Sequence, residues 1–314
     1  MAYLTLLALF ISCSLIDKIA VNSTANIIHA GSDEMLTEGN WHHFNRSVPA
    51  NLKLIEGLWY GDKENKKLLT MLIKGYAAYG FATFETKGLA AIVEEEKSFD
   101  VEQAILMYEK AIYYGFEYLK LAGISQSTFM HKSFATQLSD RFLATFAEDD
   151  LVPLFYFAQA LGSSINLQRQ NVNRMGYISH VKAMMNWVCK LNPKLERGSC
   201  QLFKAIILAS TPTLLGGSPK KGKKAFMDLI KHQRYNLLAR LSYIQYSIIP
   251  MLDEDAFKQQ MKILRKDLKL WRSYLYGTDN MSTKNFKENR HFNLYNSIAN
   301  EKYKVLKNLE KELF

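Results

Sequence analysis

The sequence predicts an all-α protein built from stacked helix pairs. Of its 314 residues, 48% are apolar and 12% are aromatic, which is enough to bury a large core. Apolar residues recur at helical spacing over long stretches, and no alternating pattern of useful strand length interrupts them. Because the chain contains few helix breakers, 16 Gly and 6 Pro, collagen-like and low-complexity chains are excluded.

The N-terminal residues 1–12 resemble a bacterial lipoprotein signal. They form an apolar stretch that is too short to span a bilayer, and the stretch ends at Cys13 between two serines. In such signals the cysteine thiol carries the diacylglyceryl anchor. We therefore expect lipidation at Cys13, with a buried or uncleaved apolar helix as the alternative. Residues 13–48, rich in Asn, Ser and His, are expected to form a tether.

The remaining residues, 49–314, are predicted to form tetratricopeptide (TPR)-like helical hairpins in a compact solenoid or bundle. Ala104, Tyr108 and Ala111 have the small–aromatic–small spacing that lets the second helix of a TPR unit lie close to the first. Helix pairs of this kind must stack, because one pair alone leaves an apolar face exposed. The same register recurs at Val181, Met185, Val188, Gly222, Phe226 and Leu229.

Charge is distributed unevenly along the chain. Residues 1–150 carry 13 basic and 19 acidic side chains, whereas residues 151–314 carry 27 and 11. Such a basic half indicates an acidic protein partner, an anionic membrane or a nucleic acid, unless its lysines are simply solvated. Because no helix-turn-helix, zinc-finger or RNP-like pattern is present to read bases, we expect no nucleic-acid partner.

No group of residues forms a recognisable catalytic centre. The 3 Cys lack CxxC spacing, and His42-His43 has no third ligand nearby. Asp149-Asp150 precedes a predicted helix, where acidic residues stabilise the N-terminus. We therefore expect no enzyme activity, no cofactor and no metal.

Two cysteines are positioned for a disulfide. Cys189 and Cys200 lie eleven residues apart and flank the turn at Asn192-Pro193. They can face each other across a helix pair, so an oxidising compartment would allow a bond, and two free thiols are the alternative.

Six stretches occur in a specific order and spacing: 54–58 (LIEGL), 75–82 (GYAAYGFA), 108–111 (YEKA), 149–162 (DDLVPLFYFAQALG), 191–193 (LNP) and 216–219 (GGSP). Together, over about residues 50–310, they resemble the T component of TRAP transporters (TatT), a family of periplasmic lipoproteins with a TPR-like fold. The resemblance implies a non-enzymatic accessory of an ATP-independent uptake system. It further implies a homotrimer that holds substrate-binding (P) subunits and has a central cavity for a hydrophobic ligand.

The resemblance also implies a location, and the sequence offers candidate binding residues. We expect the protein in the bacterial periplasm, anchored to a membrane through Cys13, and Ser14 favours the outer membrane. Exposed lysines are candidates to dock the P subunit or anionic head groups, with a solvated helix face as the alternative: Lys220, Lys221, Lys223 and Lys224. Aromatic residues are candidates to line the ligand cavity, with a place in the core as the alternative: Tyr76, Tyr79, Phe81, Phe84, Phe155, Tyr156 and Phe157.

Two other functions remain open at this point. A general TPR interaction lipoprotein, for example one serving envelope assembly, would bind an extended peptide in its groove. A helical enzyme acting on a hydrophobic substrate is the second alternative, disfavoured by the missing catalytic residues.

Overall fold

The computed structural model of the chain describes residues 2–131, 133–134, 148–277 and 284–314, with side chains from residue 16 onward apart from that of Leu215. It is 85% helical, and none of the described residues lies in a β-strand. The predicted all-α class is therefore confirmed.

The α-helices follow one another through short connections. Those of the first half are α1 (Ala2–Gly31), α2 (Trp41–Gly61), α3 (Lys66–Tyr79), α4 (Glu85–Lys87), α5 (Leu89–Val93), α6 (Phe99–Leu121) and α7 (Gln126–Met130). Those of the second half are α8 (Leu151–Leu167), α9 (Val172–Met175), α10 (Ile178–Leu191), α11 (Ser199–Ser210), α12 (Pro219–His232), α13 (Leu237–Tyr243), α14 (Glu254–Leu275), α15 (Lys284–Glu288) and α16 (Asn293–Leu313).

Two segments have the wider π-helical hydrogen-bonding pattern. Gly80–Phe84 continues α3, and Ile244–Ile248 continues α13. A π-helical turn is rare, and when it interrupts an α-helix it is frequently found at a functional site. The first of these segments contains two of the predicted cavity aromatics, Phe81 and Phe84.

The first of two compact units consists of Met1–Asp33, Asn45–Gly80 and Ile105–Met184. Its helix α3 packs against α8 and α1. Asn65 caps the start of α3, since its side-chain oxygen accepts a hydrogen bond from the backbone N–H of Leu68 at 3.0 Å. The cap fixes where the buried apolar face of α3 begins.

The predicted tether, residues 13–48, is helical over most of its length. It comprises the rest of α1, a 3-10 turn at Ser32–Thr37 and the start of α2. In α1, Asn22 accepts a hydrogen bond from Asn65 Nδ2 at 2.6 Å and donates one to Asp62 Oδ2 at 3.2 Å. These bonds attach α1 to the start of α3, where the sequence predicts a flexible linker.

The second unit consists of Glu34–Phe44, Phe81–Ala104 and Met185–Phe314. Within it, α16 packs against α13, α14 and α5, and α11 packs along α12. The indole N–H of Trp271 in α14 donates to Asn293 Oδ1 at the start of α16, at 3.1 Å. This bond satisfies a buried donor, so the large indole packs in the core without leaving a polar atom unpaired.

The helix faces predicted from small–aromatic–small spacing are buried. Helices α11 and α12 approach closely at Gly222, where an added Cβ would stand 2.7 Å from the backbone nitrogen of Ala209. Glycine at this position therefore lets the two backbones pack closely. Grouping of the helices into TPR-like repeats stays a prediction. The buried residues of these faces are Ala104, Tyr108, Ala111, Val181, Met185, Val188, Gly222, Phe226 and Leu229.

We predict that Gly222→Ala destabilises the protein by about 1–3 kcal/mol, because the added methyl group forces α11 and α12 apart. Gly57→Ala is the matched control: Gly57 is exposed in α2 and has open space around its Cβ position. There, the substitution should stabilise the protein by about 0.5–1 kcal/mol through helix propensity. Urea unfolding followed by circular dichroism measures both. Equal stability of Gly222→Ala and wild type would contradict the close approach.

Candidate functional site

A network of polar side chains in the first unit converges on one carboxylate. Glu56 Oε1 accepts hydrogen bonds from the hydroxyl groups of Tyr76 at 2.5 Å and Tyr114 at 2.9 Å. Lys110 Nζ lies 3.2 Å from the same oxygen, and Lys53 Nζ lies 2.5 Å from Oε2. We call these five residues the Glu56 cluster. Since they come from α2, α3 and α6, the cluster ties three helices together.

The hydrogen bonds of the Glu56 cluster determine the protonation state of the Glu56 carboxyl group. Burial alone would raise the pKa of Glu56, but the bonds from Lys53, Tyr76, Tyr114 and Lys110 outweigh it and lower the pKa to about 2. Burial, reinforced by the bond to Glu56, raises the pKa of both tyrosines. At neutral pH the carboxylate is therefore charged, and both phenols remain neutral donors.

Aromatic rings surround the Glu56 cluster. The rings of Tyr76 and Tyr114 stack at 5.8 Å, and Trp59 meets Tyr114 edge-on at 5.3 Å. Next to them, Tyr60 is 78% exposed and Tyr113 is 52% exposed. This part of the unit therefore combines a half-buried anion with aromatic side chains that reach solvent.

The predicted docking lysines occupy the first turns of α12. Lys220, Lys221, Lys223 and Lys224 are all exposed, and none forms an ion pair with any described residue. We call them the lysine cluster. A helix carries partial positive charge at its N-terminus, so the four lysines are repelled by this charge and by one another. The first turn of α12 has no acidic residue that would offset this repulsion.

A third feature, the buried amine of Lys302, is not among the candidates that the sequence predicts. This side chain is 0% exposed, and its Nζ has no hydrogen-bond partner in the described part of the chain. Nζ lies 4.3 Å from the ring centre of Phe81. Burial lowers the pKa of Lys302 to about 8, partly offset by the charge of Glu85. The sequence did contain one indication that Lys302 is buried: it lies in the apolar stripe of α16, three residues after Ala299 and four before Leu306.

The sequence model of one protein family, described as TRAP transporter T-component, matches residues 43–314. The chain belongs to this family. No curated protein is significantly similar to it. The match confirms the resemblance found in the sequence and assigns the protein to a TRAP transport system. It begins ahead of residue 49, inside the stretch predicted as a tether.

Three of the aromatic residues predicted to line a cavity are adjacent in α8. Phe155, Tyr156 and Phe157 are each at most 7% exposed. Phe157 packs against the rings of Phe116 and Phe129, with centroid distances of 5.2 and 5.4 Å. Because a core aromatic shows the same burial, their role as cavity lining stays a prediction.

The other aromatic residues predicted to line the cavity belong to α3 and to the π-helical segment that follows it. The hydroxyl of Tyr76 is committed to Glu56. Tyr79 is partly exposed, and burial raises its pKa. Phe81 and Phe84 are half-buried, and Phe81 faces the amine of Lys302. Contact of any of these residues with a ligand stays a prediction.

The two cysteines of the second unit are bonded. The structure joins Cys189, near the end of α10, to Cys200, in the first turn of α11, with sulfurs 2.07 Å apart. The chain between them passes through left-handed backbone at Glu196, Arg197 and Gly198. The turn thus brings together the two helices that the spacing placed opposite each other.

Asp150 has a different role from the one predicted. It occupies the N-cap position of α8, but its side chain makes no capping hydrogen bond. Instead, the buried carboxylate accepts hydrogen bonds from the hydroxyl of Tyr118 and from Lys66 Nζ, the latter at 3.1 Å. Asp150 therefore links α8 to α6 and α3.

The histidine pair lies on a helix rather than in a linker. His42 and His43 are exposed in α2, and His43 Nδ1 lies 2.5 Å from Glu38 Oε2. Among the described residues, no three His, Cys, Asp or Glu side chains come together in a way that could hold a metal ion.

Cys13, the predicted lipidation site, lies in α1. Its side chain, like those of residues 1–12, is outside the described part of the structure. No helix of the described residues is both long and apolar enough to cross a bilayer. Lipidation of Cys13 stays a prediction.

We predict that Glu56→Gln lowers the free energy of unfolding by about 2 kcal/mol at pH 7, because it removes charge-assisted hydrogen bonds to four partners. The folded pKa of about 2 lies below the ordinary value of 4.5, so this stabilisation is complete above pH 4.5. It is lost as the pH falls toward 2. Urea unfolding of both proteins between pH 2 and pH 7 tests this.

Glu254→Gln is the control for the Glu56 measurement. Glu254 pairs with Lys258 on the surface of α14, at an exposed i,i+4 position. Its replacement should change stability by less than about 0.5 kcal/mol. A difference between wild type and Glu56→Gln that stays constant across the pH range would contradict the assigned charge state of Glu56.

Proposed function

We propose that this T component is a non-enzymatic scaffold of the bacterial periplasm. It binds the substrate-binding (P) subunit of its transporter, assembles as a homotrimer and binds a hydrophobic ligand in an oligomeric cavity. The lysine cluster is the observation that carries the proposal. Four exposed cations without ion-pair partners in the described structure offer a ready contact for an acidic protein surface.

The position of the lysine cluster supports docking over simple solvation. Lysines at a helix N-terminus oppose the helix dipole, so they reduce the stability of α12 where acidic residues would increase it. A carboxylate-rich partner surface would reverse this effect, because it neutralises the cations and faces the positive end of the helix. Such an interface would form faster at low ionic strength, since charges steer the encounter.

The native mass of the protein, alone and mixed with the TRAP substrate-binding protein of the same organism, tests the scaffold. We predict a trimer that gains mass on mixing, and weaker binding at higher salt. Replacing Lys220, Lys221, Lys223 and Lys224 together with Gln should weaken binding by at least about tenfold, since interface charges govern association.

The matched control replaces four exposed lysines elsewhere in the same unit with Gln: Lys262, Lys266, Lys269 and Lys307. This variant has the same net charge as the first, so a long-range charge effect would weaken both equally. Binding by the control should stay within about twofold of wild type. A monomer that ignores the P subunit would instead favour the peptide-binding TPR lipoprotein, and turnover of a ligand would favour the enzyme.

We further propose that Cys13 carries a lipid anchor, with the outer membrane as its site. The support is the apolar run that ends at this cysteine between Ser12 and Ser14. We predict that cells fed a labelled fatty acid incorporate label into the wild-type protein and that Cys13→Ser abolishes the label. Cys200→Ser serves as the control and should remain labelled. Absence of label from wild type would rule out the anchor.

A further inference from the structure

Lys302 places a polar head on the apolar face of its helix. On α16 it shares a face with Ala299 and Leu306, both completely buried. Helix α16 packs there against α4 and α5 of the same unit. The side chain is 0% exposed, so its amine does not reach water by extending along the surface.

The Lys302 amine has an aromatic ring and a carboxylate nearby but no hydrogen-bond partner among the described residues. The ring of Phe81 lies 4.3 Å from Nζ and provides a cation–π contact. Glu85, itself 2% exposed, interacts with the amine through its charge, but Nζ makes no hydrogen bond to any described residue. An amine has up to three N–H donors, and leaving them unused in an apolar interior is costly. An acceptor from outside the described residues would remove that cost.

The half-buried ring of Phe81 indicates the side from which such an acceptor would reach Lys302. Phe81 belongs to the π-helical segment Gly80–Phe84, a backbone form that frequently marks functional sites. Phe84, in the same segment, is also half-buried. A group that reached Lys302 beside Phe81 would meet this half-buried aromatic ring, so we expect the molecule that carries the group to be largely apolar.

We propose that Lys302 binds the carboxylate head of an amphipathic ligand whose hydrocarbon tail packs along Phe81. The inference rests on the proposed function, in which the T component binds a hydrophobic ligand, and it specifies the chemical class of that ligand. The pKa of about 8 is consistent with this role, because the amine is mostly protonated at pH 7 and can form a charge-assisted hydrogen bond. Glu85 is the charged group that faces it, and a ligand carboxylate would compete with that residue.

Calorimetric titration of the full chain with sodium dodecanoate and with 1-dodecanol at pH 7 tests the inference. The two probes share a twelve-carbon chain and differ in the head. Wild type should bind dodecanoate at least about tenfold more tightly, the range expected for a hydrogen bond between charged groups. Lys302→Met should remove this preference and leave the affinity for dodecanol within about twofold, because the apolar contacts remain.

Two further variants make the result specific to this amine. Lys304→Met changes an exposed lysine two residues away on the same helix, paired with Glu301 at 2.6 Å, and should behave like wild type. Glu85→Gln removes the carboxylate that would repel that of the ligand, but it also lowers the pKa of Lys302. Measured at pH 6 to keep the amine protonated, it should tighten dodecanoate binding at least about threefold without affecting dodecanol. The Glu85 variant also tests the inference if Lys302→Met does not fold.

Several results would overturn the inference. Equal affinity of wild type for the two probes, or an unchanged preference in Lys302→Met, would exclude the carboxylate site and leave hydrophobic ligand binding standing. A failure of wild type to bind either probe would reject both the site and the ligand part of the proposed function. Binding of the P subunit is measured separately and would be unaffected by either outcome.

Discussion

A polar side chain buried between helices needs a hydrogen-bond partner, and several such side chains in this protein find theirs on a different helix. This requirement determines much of the packing in both units. The buried amide of Asn65, at the start of α3, bonds to Asn22 in α1, and the buried indole of Trp271 in α14 bonds to Asn293 in α16. Each bond selects one rotation and one register of a helix pair that apolar contacts alone would leave less well defined.

The Glu56 cluster shows the same need for partners, here for a charged group. A half-buried carboxylate is stable when several donors surround it, and here two tyrosines and two lysines do so. The donors come from two neighbouring helices and from the carboxylate's own helix. Removing the carboxylate therefore leaves several groups without their acceptor at once, which is why stability and pH are coupled at this position.

Elsewhere the chain keeps arrangements that do not stabilise its own fold. The lysine cluster places positive charge at the wrong end of a helix dipole, and the amine of Lys302 is buried with an aromatic ring but no hydrogen bond among the described residues. Residues that violate a local rule of stability are commonly found where a protein binds something else. In a T component of a TRAP system, one such feature is exposed and suits a protein partner, whereas the other is buried and suits a small ligand.

The sequence by itself determined the helical class, the family and the faces that are buried. Periodic apolar spacing such as that of Ala104, Tyr108 and Ala111 is a local property, since residues three to four positions apart always share a helix face. The spacing of Cys189 and Cys200 likewise requires nothing beyond one turn between two helices. For the same reason the charged run in the first turns of α12 is recognisable from residue order alone.

Only the tertiary structure decided which side chains meet across helices. The tyrosine partners of Glu56 are not recognisable in the sequence, because Tyr76 and Tyr114 lie 20 and 58 residues away and reach it only after three helices have packed. In the sequence, Lys302 looks like the other lysines of α16. Only the packing of α4 and α5 against α16 shows that its side chain is buried. Residues 13–48 are polar enough to suggest a linker, yet Asn22 among them finds both a donor and an acceptor beside the start of α3. Contacts of this kind depend on where whole helices lie, and local spacing does not contain that information.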